Sequence, residues 1–165
     1  MCTALISLPA LQLPAQQTPP SYHTPSMASK GYLDWCDTYS ESIAKAKASS
    51  KPLLILFTGS GWCPACLKLE KEILVKPEFI QGVANHFVFY KSEFSDPSPQ
   101  GLAANPDSVL LDRYNIKFFP TILVVDSNGN QLFTLGYQAG GAAAYVSELT
   151  KKLGAIKNLR PHNSH

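Results

Sequence analysis

Apolar and polar positions switch between two periods along this chain, and the switches mark out its elements. Leu53-Leu54-Ile55-Leu56-Phe57 is an unbroken apolar run of strand length, the pattern of a strand covered on both faces. His86-Phe87-Val88-Phe89-Tyr90-Lys91 reads as a second buried strand. Thr121-Ile122-Leu123-Val124-Val125 and Gln131-Leu132-Phe133-Thr134-Leu135 flank Asp126-Ser127-Asn128-Gly129-Asn130, and the Asn-Gly step between two such runs predicts a hairpin. Helix formers behind polar starters predict a helix over 37–49, which Lys51-Pro52 ends. Helical spacing of Leu67, Ile73 and Leu74 predicts another over 67–75, and Pro77 opens a short one. Ser95-Asp96-Pro97-Ser98-Pro99 reads as a long surface loop, 109–114 as a short helix and 141–153 as the last helix. Strand–helix units followed by an antiparallel hairpin and a terminal helix imply an α/β domain over 30–157, a mixed central β-sheet with helices on both faces.

The flanks differ from this core. Residues 1–29 carry no Lys, Arg, Asp or Glu and are interrupted by Pro9, Pro14, Pro19, Pro20 and Pro25, so no regular helix fits them. They are expected to be a disordered Pro-rich tail or the remnant of an export signal: Ala4 to Ala15 is mildly apolar but has no basic lead and is broken by proline. Residues 158–165 are expected to be a second disordered tail. No run approaches the roughly 20 apolar residues that cross a bilayer, so no integral membrane segment is expected.

With 165 residues, 45% hydrophobic and 16% charged, the chain has material for one compact domain. Fourteen basic and twelve acidic residues nearly cancel and form no long run of one sign, which argues against a nucleic-acid partner. Four cysteines are too few for a disulfide-stapled scaffold of this length, and their distribution points to chemistry at the one close pair, Cys63 and Cys66.

Cys63-Pro64-Ala65-Cys66 follows a predicted strand and opens a predicted helix. That placement puts the first thiol at the helix N-terminus, where free N–H groups and the helix dipole stabilise a thiolate, and the second one turn further in. Cys63 would then attack a partner disulfide, and Cys66 would resolve the mixed disulfide. Two other readings of a lone C-x-x-C stay open: an inert disulfide and half of a zinc site. Zinc needs four ligands, and Cys2, Cys36, His23 and His86 stand at no paired spacing, so neither a metal nor another cofactor is expected.

Trp62-Cys63-Pro64-Ala65-Cys66 together with Phe119-Pro120-Thr121 resembles the thioredoxin superfamily. The resemblance implies a thioredoxin-like fold, catalytic Cys63 and Cys66, a cis Pro120 facing the cysteines, and a substrate groove formed by Trp62, Phe119, Pro120 and Thr121. Trp35 ahead of an Ala/Lys-rich helix, the lead-in Phe57-Thr58-Gly59-Ser60-Gly61, and Gly136-Tyr137 followed by Gly140-Gly141-Ala142 are similar to exported bacterial members, which implies a periplasmic or otherwise exported protein. One departure is the strand before the motif, Leu53 to Phe57: it lacks the acidic residue with which cytosolic members deprotonate the second cysteine. Lys91 on the next strand is a candidate for tuning the thiols, or a strand-end lysine reaching water.

The expected function is therefore thiol–disulfide exchange on exported proteins, as reductase or isomerase rather than strong oxidant, since Pro64-Ala65 offers no charge to hold a thiolate. Its partners would be protein thiols and disulfides and a redox protein that recycles the dithiol. The alternative is a thioredoxin-fold binding or chaperone module without turnover. Cys36 reads as an inert packing thiol. Cys2 reads as a lipid-attachment site or an unused tail thiol.

Overall fold

The computed structural model describes residues 32–159; both expected tails, apart from Asn158 and Leu159, lie outside the described residues. Trp35–Cys36 forms a short strand β1, and Tyr39–Ser49 the helix α1. Cys36 thus sits in a strand, not at the start of the helix as its sequence context suggests. Thr38 is the reason: its hydroxyl accepts the Glu41 N–H at 3.2 Å, and the Glu41 carboxylate reaches back to the Asp37 N–H at 3.1 Å, so the helix starts only after this reciprocal cap. Ser50 ends α1 in the left-handed conformation, with Lys51 N–H returning to the Ala46 carbonyl.

Strand β2 spans Leu53–Gly59 and leads into α2, Pro64–Leu69, which widens into a π-turn over Glu70–Leu74. The expected single helix over 67–75 is therefore two hydrogen-bonding regimes, with Val75 N–H bonding the Glu70 carbonyl five residues back. Helix α3, Pro77–Val83, completes the crossover to β3, Val88–Phe94. β3 runs beyond the expected end at Lys91, because its ladder with β2 continues through Gly59 and Phe94 after the apolar run stops. The expected loop over 95–99 gives way at its last residue to a helix, α4, Pro99–Ala104: Ser98 caps it by accepting the Gly101 N–H at 3.0 Å, and Pro99 takes the first turn. Then come α5 (Ser108–Arg113), β4 (Thr121–Val125), β5 (Gln131–Leu135) and α6, Gly141–Leu159, which extends past the expected end at Leu153. The hairpin turns at Asp126–Gly129, where Gly129 takes φ 81° and Asp126 accepts the N–H of Asn128 and Asn130, each at 2.9 Å.

The sheet order is β1-β3-β2-β4-β5, with β1, β3 and β2 parallel and β4 antiparallel to both its neighbours, β2 and β5. The mixed sheet with helices on both faces is as expected. Leu54, Leu56, Phe89, Ile122 and Val124 face α2, α3 and α6 through Leu69, Phe79 and Leu149. The alternate positions Leu53, Ile55, Phe57, Tyr90 and Leu123 face α1 and α5 through Ala46 and Leu110.

Burial pushes the phenols of Tyr90, Tyr114 and Tyr145 upward, reinforced by Asp107 at Tyr90 and by Tyr39 at Tyr114. A raised native value contributes stability that is complete below the unfolded phenol near 10 and is lost as pH climbs toward the native value. Denaturant midpoints should accordingly fall between about pH 10 and pH 12, and unfolding near pH 11 should produce a jump in phenolate absorbance. A midpoint that stays flat across this window would contradict the burial argument.

Candidate active site

The site lies where β2 runs out. Antiparallel pairing of Phe57 with Thr121 brings the start of β4, and hence Phe119-Pro120, to the same end of the sheet as the loop that carries the cysteines. The Phe119–Pro120 bond is cis, as the resemblance implies. Cys63 is the N-cap of α2, Pro64 fills the first turn, where a missing N–H costs nothing, and Cys63 and Cys66 are joined in a disulfide.

Both sulfurs accept backbone N–H groups. Cys66 N–H donates to Cys63 Sγ at 3.2 Å from the first turn of α2, and Gly59 N–H donates to Cys66 Sγ at 3.4 Å from the end of β2. Cys63 is thus held by the helix N-terminus and Cys66 by the sheet. Exposure does not distinguish them, although a second cysteine one turn further in is expected to be the less solvated: Cys63 is 5% exposed and Cys66 4%. In the disulfide state each sulfur covers the other, and the asymmetry resides in their partners.

The residues expected to form the groove separate into two roles. Trp62 donates its indole N–H to the Phe94 carbonyl at 2.9 Å, and its ring meets Phe119 edge to face at 5.6 Å. Phe119 also packs on Phe94 at 5.3 Å. Phe119 is therefore turned inward, and Pro120 is buried. Thr121 donates its hydroxyl to the Phe118 carbonyl at 2.7 Å, bracing the turn before the cis bond. Phe118, which sequence reasoning passed over, is the outward ring, 78% exposed beside the cis-proline. A second residue passed over is Gly59: a Cβ there would lie 2.4 Å from the Trp62 ring, so only glycine lets the indole close over the strand end. The run Thr58-Gly59-Ser60-Gly61 carried the signal, since an isolated glycine at a strand end marks close approach.

Lys91 sits opposite Leu56 in the β2–β3 ladder and pairs with Glu93 at 2.9 Å. Leu56, on the face toward α2, occupies a place from which an acid would reach Cys66: both line one cavity. Lys91 and Glu93 line it too. The Lys91 hydrogen bond, with help from Ser60, holds the Glu93 carboxyl below its ordinary range against the opposing effect of burial.

Cys36 is buried among Ala46, Leu53 and Tyr90, and burial raises its thiol first among several smaller effects. Cys36→Ser should leave disulfide exchange within about twofold of the parent, because a protonated, covered thiol neither attacks nor resolves. Insulin-reduction rates of the two proteins test this. Among the described residues, no three His, Cys, Asp or Glu side chains gather into a set that could hold a metal ion, and no helix is long and apolar enough to cross a membrane.

A strand, a cysteine pair at a helix N-cap and a cis-proline at the same end of the sheet define a class, the thioredoxin fold with a redox-active cysteine pair. The chain belongs to the thioredoxin-like domain family, which matches residues 39–150. It is 32% identical over 122 residues to the disulfide bond reductase DsbH of Chlamydia pneumoniae, covering 73% of each chain. A solved DsbH oxidoreductase structure superposes with TM-score 0.65 at 30% identity, over 87% of this chain and 94% of that one. The thioredoxin-related protein DsbJ of Chlamydia pneumoniae is 30% identical over 103 residues, 62% of this chain but 30% of that protein. A thioredoxin from Thermus thermophilus shares the fold, with TM-score 0.59 at 22% identity, over 81% of this chain and 98% of that one. The chain is a thiol–disulfide oxidoreductase, with its cysteine pair at 63 and 66.

Proposed function

We propose that the chain reduces or isomerises disulfides of exported proteins, with Cys63 as nucleophile and Cys66 as resolving thiol. The observation that carries this is the split anchoring of the two sulfurs. A Cys63 thiolate keeps the Cys66 N–H of the helix N-terminus as its partner, whereas Cys66 is backed by the strand and the apolar cavity. In the reducing direction the Cys63 thiolate attacks a partner disulfide, and one partner sulfur leaves as a thiolate and takes up a proton. The Cys66 thiolate then attacks Cys63 Sγ, breaks the mixed disulfide and releases the second partner sulfur. The two electrons so delivered leave Cys63–Cys66 oxidised, so a second dithiol protein has to restore the pair.

Direction follows from what is missing around Cys63. Pro64-Ala65 supplies no cation, and a thiolate with little extra stabilisation leaves the reduced pair a good donor. The DsbH relative bears the name of a disulfide bond reductase. Trp62, Phe119, Pro120 and Thr121 form the wall against which the substrate strand lies, Phe119 through its backbone and Phe118 through its exposed ring.

Insulin-disulfide reduction with a recycling dithiol, combined with trapping of partners on non-reducing gels, tests the reading. Turnover with Cys63-linked adducts is the expected result. Peptide binding without turnover would instead establish a holding module. An exported location predicts the native full-length protein in the cell-envelope fraction, and its recovery from the cytosol would overturn that part.

A further inference from the structure

The cavity behind the disulfide has a volume of about 370 Å³ and is lined mostly by apolar side chains, among them Trp35 and Leu56, with Cys66 in its wall. The charged groups facing it are Lys91 and Glu93 on β3 and Glu70 at the end of α2; Tyr32 is the other titratable side chain at its edge. Leu56 on β2 contributes no charge, so whatever charge Cys66 meets within this cavity comes from β3 and from Glu70. Two carboxylates against one ammonium leave it net negative at neutral pH.

We propose that Glu93 is a positioning residue for Cys66: by holding Lys91 in an ion pair at the cavity, it withholds that cation from the resolving thiol and keeps its thiolate fraction low. The proposal rests on Cys66 being the resolving thiol, and the geometry supports it in two ways. Lys91 stands directly opposite Leu56, and the Lys91–Glu93 pair runs along one strand at 2.9 Å, so the ammonium is committed to a neighbour on its own face. Glu93 is also tied to the cysteine loop, through Ser60, whose side chain is among the groups that favour the charged carboxylate and whose N–H donates to the Phe94 carbonyl at 3.1 Å. In the resolving step Cys66 gives its proton to water, its thiolate forms the bond to Cys63 Sγ, and the departing partner sulfur takes up a proton. A nearby uncommitted cation would favour that thiolate, and a carboxylate disfavours it.

The two side chains therefore act with opposite sign, which a purely structural role does not. In a Cys63→Ser background, where Cys66 is the thiol at the motif, Glu93→Gln should increase the thiolate fraction of Cys66 at fixed pH by about threefold, and Lys91→Met should decrease it by about as much. The pair is more than a third exposed, at 44% and 41%, so screening keeps the change modest. The probe is the pH profile of iodoacetamide alkylation, repeated in 1 M salt, where a Debye length of about 3 Å should shrink both shifts. With both cysteines present, equilibration against glutathione at a pH where Cys66 is ionised in the reduced pair should find the Glu93→Gln couple about threefold more oxidising, or about 15 mV, and the Lys91→Met couple about threefold more reducing, and both shifts should shrink toward neutral pH, where that thiol is protonated. Glu93→Asp, which keeps the charge, should stay close to the parent.

Equal profiles for all variants, or shifts of both in one direction, would overturn the proposal while parental turnover leaves the oxidoreductase reading standing. A parent that neither turns over nor forms adducts would defeat that reading itself. Should Lys91→Met fail to fold, Lys91→Gln removes the same charge and the opposite-sign test still applies.

Discussion

Cys63→Ser should abolish insulin-disulfide reduction, a loss of at least about a thousandfold, because the first bond to substrate is made by this sulfur and no neighbouring group replaces it. Cys66→Ser should lose turnover to a similar extent yet behave in the opposite way on a non-reducing gel, accumulating partners linked to Cys63. The reason lies in the anchoring. Cys63 Sγ takes its N–H from the first turn of α2, which stays in place when the side chain at 66 loses its sulfur. Attack therefore survives and only resolution is lost. The double variant should trap nothing. Alkylation rate against pH, measured for each single variant, should show Cys63 reacting as a thiolate near neutral pH and Cys66 only at higher pH. Equal reactivity of the two, with no adducts from Cys66→Ser, would remove the basis for the assigned roles and favour a binding module.

Phe94→Ala should lower stability by about 3–5 kcal/mol, the usual cost of emptying a ring-sized space in a core. Phe94 is buried at the end of β3, and its ring packs on Phe119. Its carbonyl is the acceptor for both the Trp62 indole and the Ser60 N–H, so its backbone joins the cysteine loop to the sheet. The variant keeps that carbonyl but removes the ring that supports Phe119, and Phe119 in turn flanks Trp62. Thermal unfolding should fall by about 10–20 °C for a domain of this size. Disulfide reduction at a temperature where the variant is still folded should fall as well, through loss of order at the cis-proline turn. Phe94→Leu, which refills most of the space, should recover most of both. Retained activity with a collapsed melting temperature would separate the core role of this ring from any role at the site.

Most of the elements were legible because their causes are local. The run Leu53–Phe57 is apolar without a break because β2 lies at the centre of the sheet with helices over both faces, and the Asn-Gly step in 126–130 carries its own turn chemistry. The cysteine motif behaves likewise: four adjacent residues behind a strand and ahead of a helix place two sulfurs one turn apart whatever the rest of the chain does. The misread boundaries arose where the cause sits elsewhere. β3 continues to Phe94 because β2 is there to pair with it, and the alternation of Lys91, Ser92 and Glu93 shows as strand only once that partner is in place. The start of α4 was masked by two prolines, although Ser98-Pro99 is itself a cap and first turn.

The site beyond the cysteines was a matter of tertiary structure. Phe119 and Phe118 are adjacent and chemically identical, and only the pairing of Phe57 with Thr121 and the packing on Phe94 decide that one ring turns inward and the other outward. Gly59 is constrained by an indole three positions later that folds back over it. Glu93 gains its significance from a cavity whose walls come from β2, α2 and β3 together, so no window of sequence contains it. Local chemistry thus determined which atoms can exchange disulfides, and long-range packing decided which charges and rings surround them, because a side chain's field and contacts depend on neighbours that only the folded sheet brings within reach.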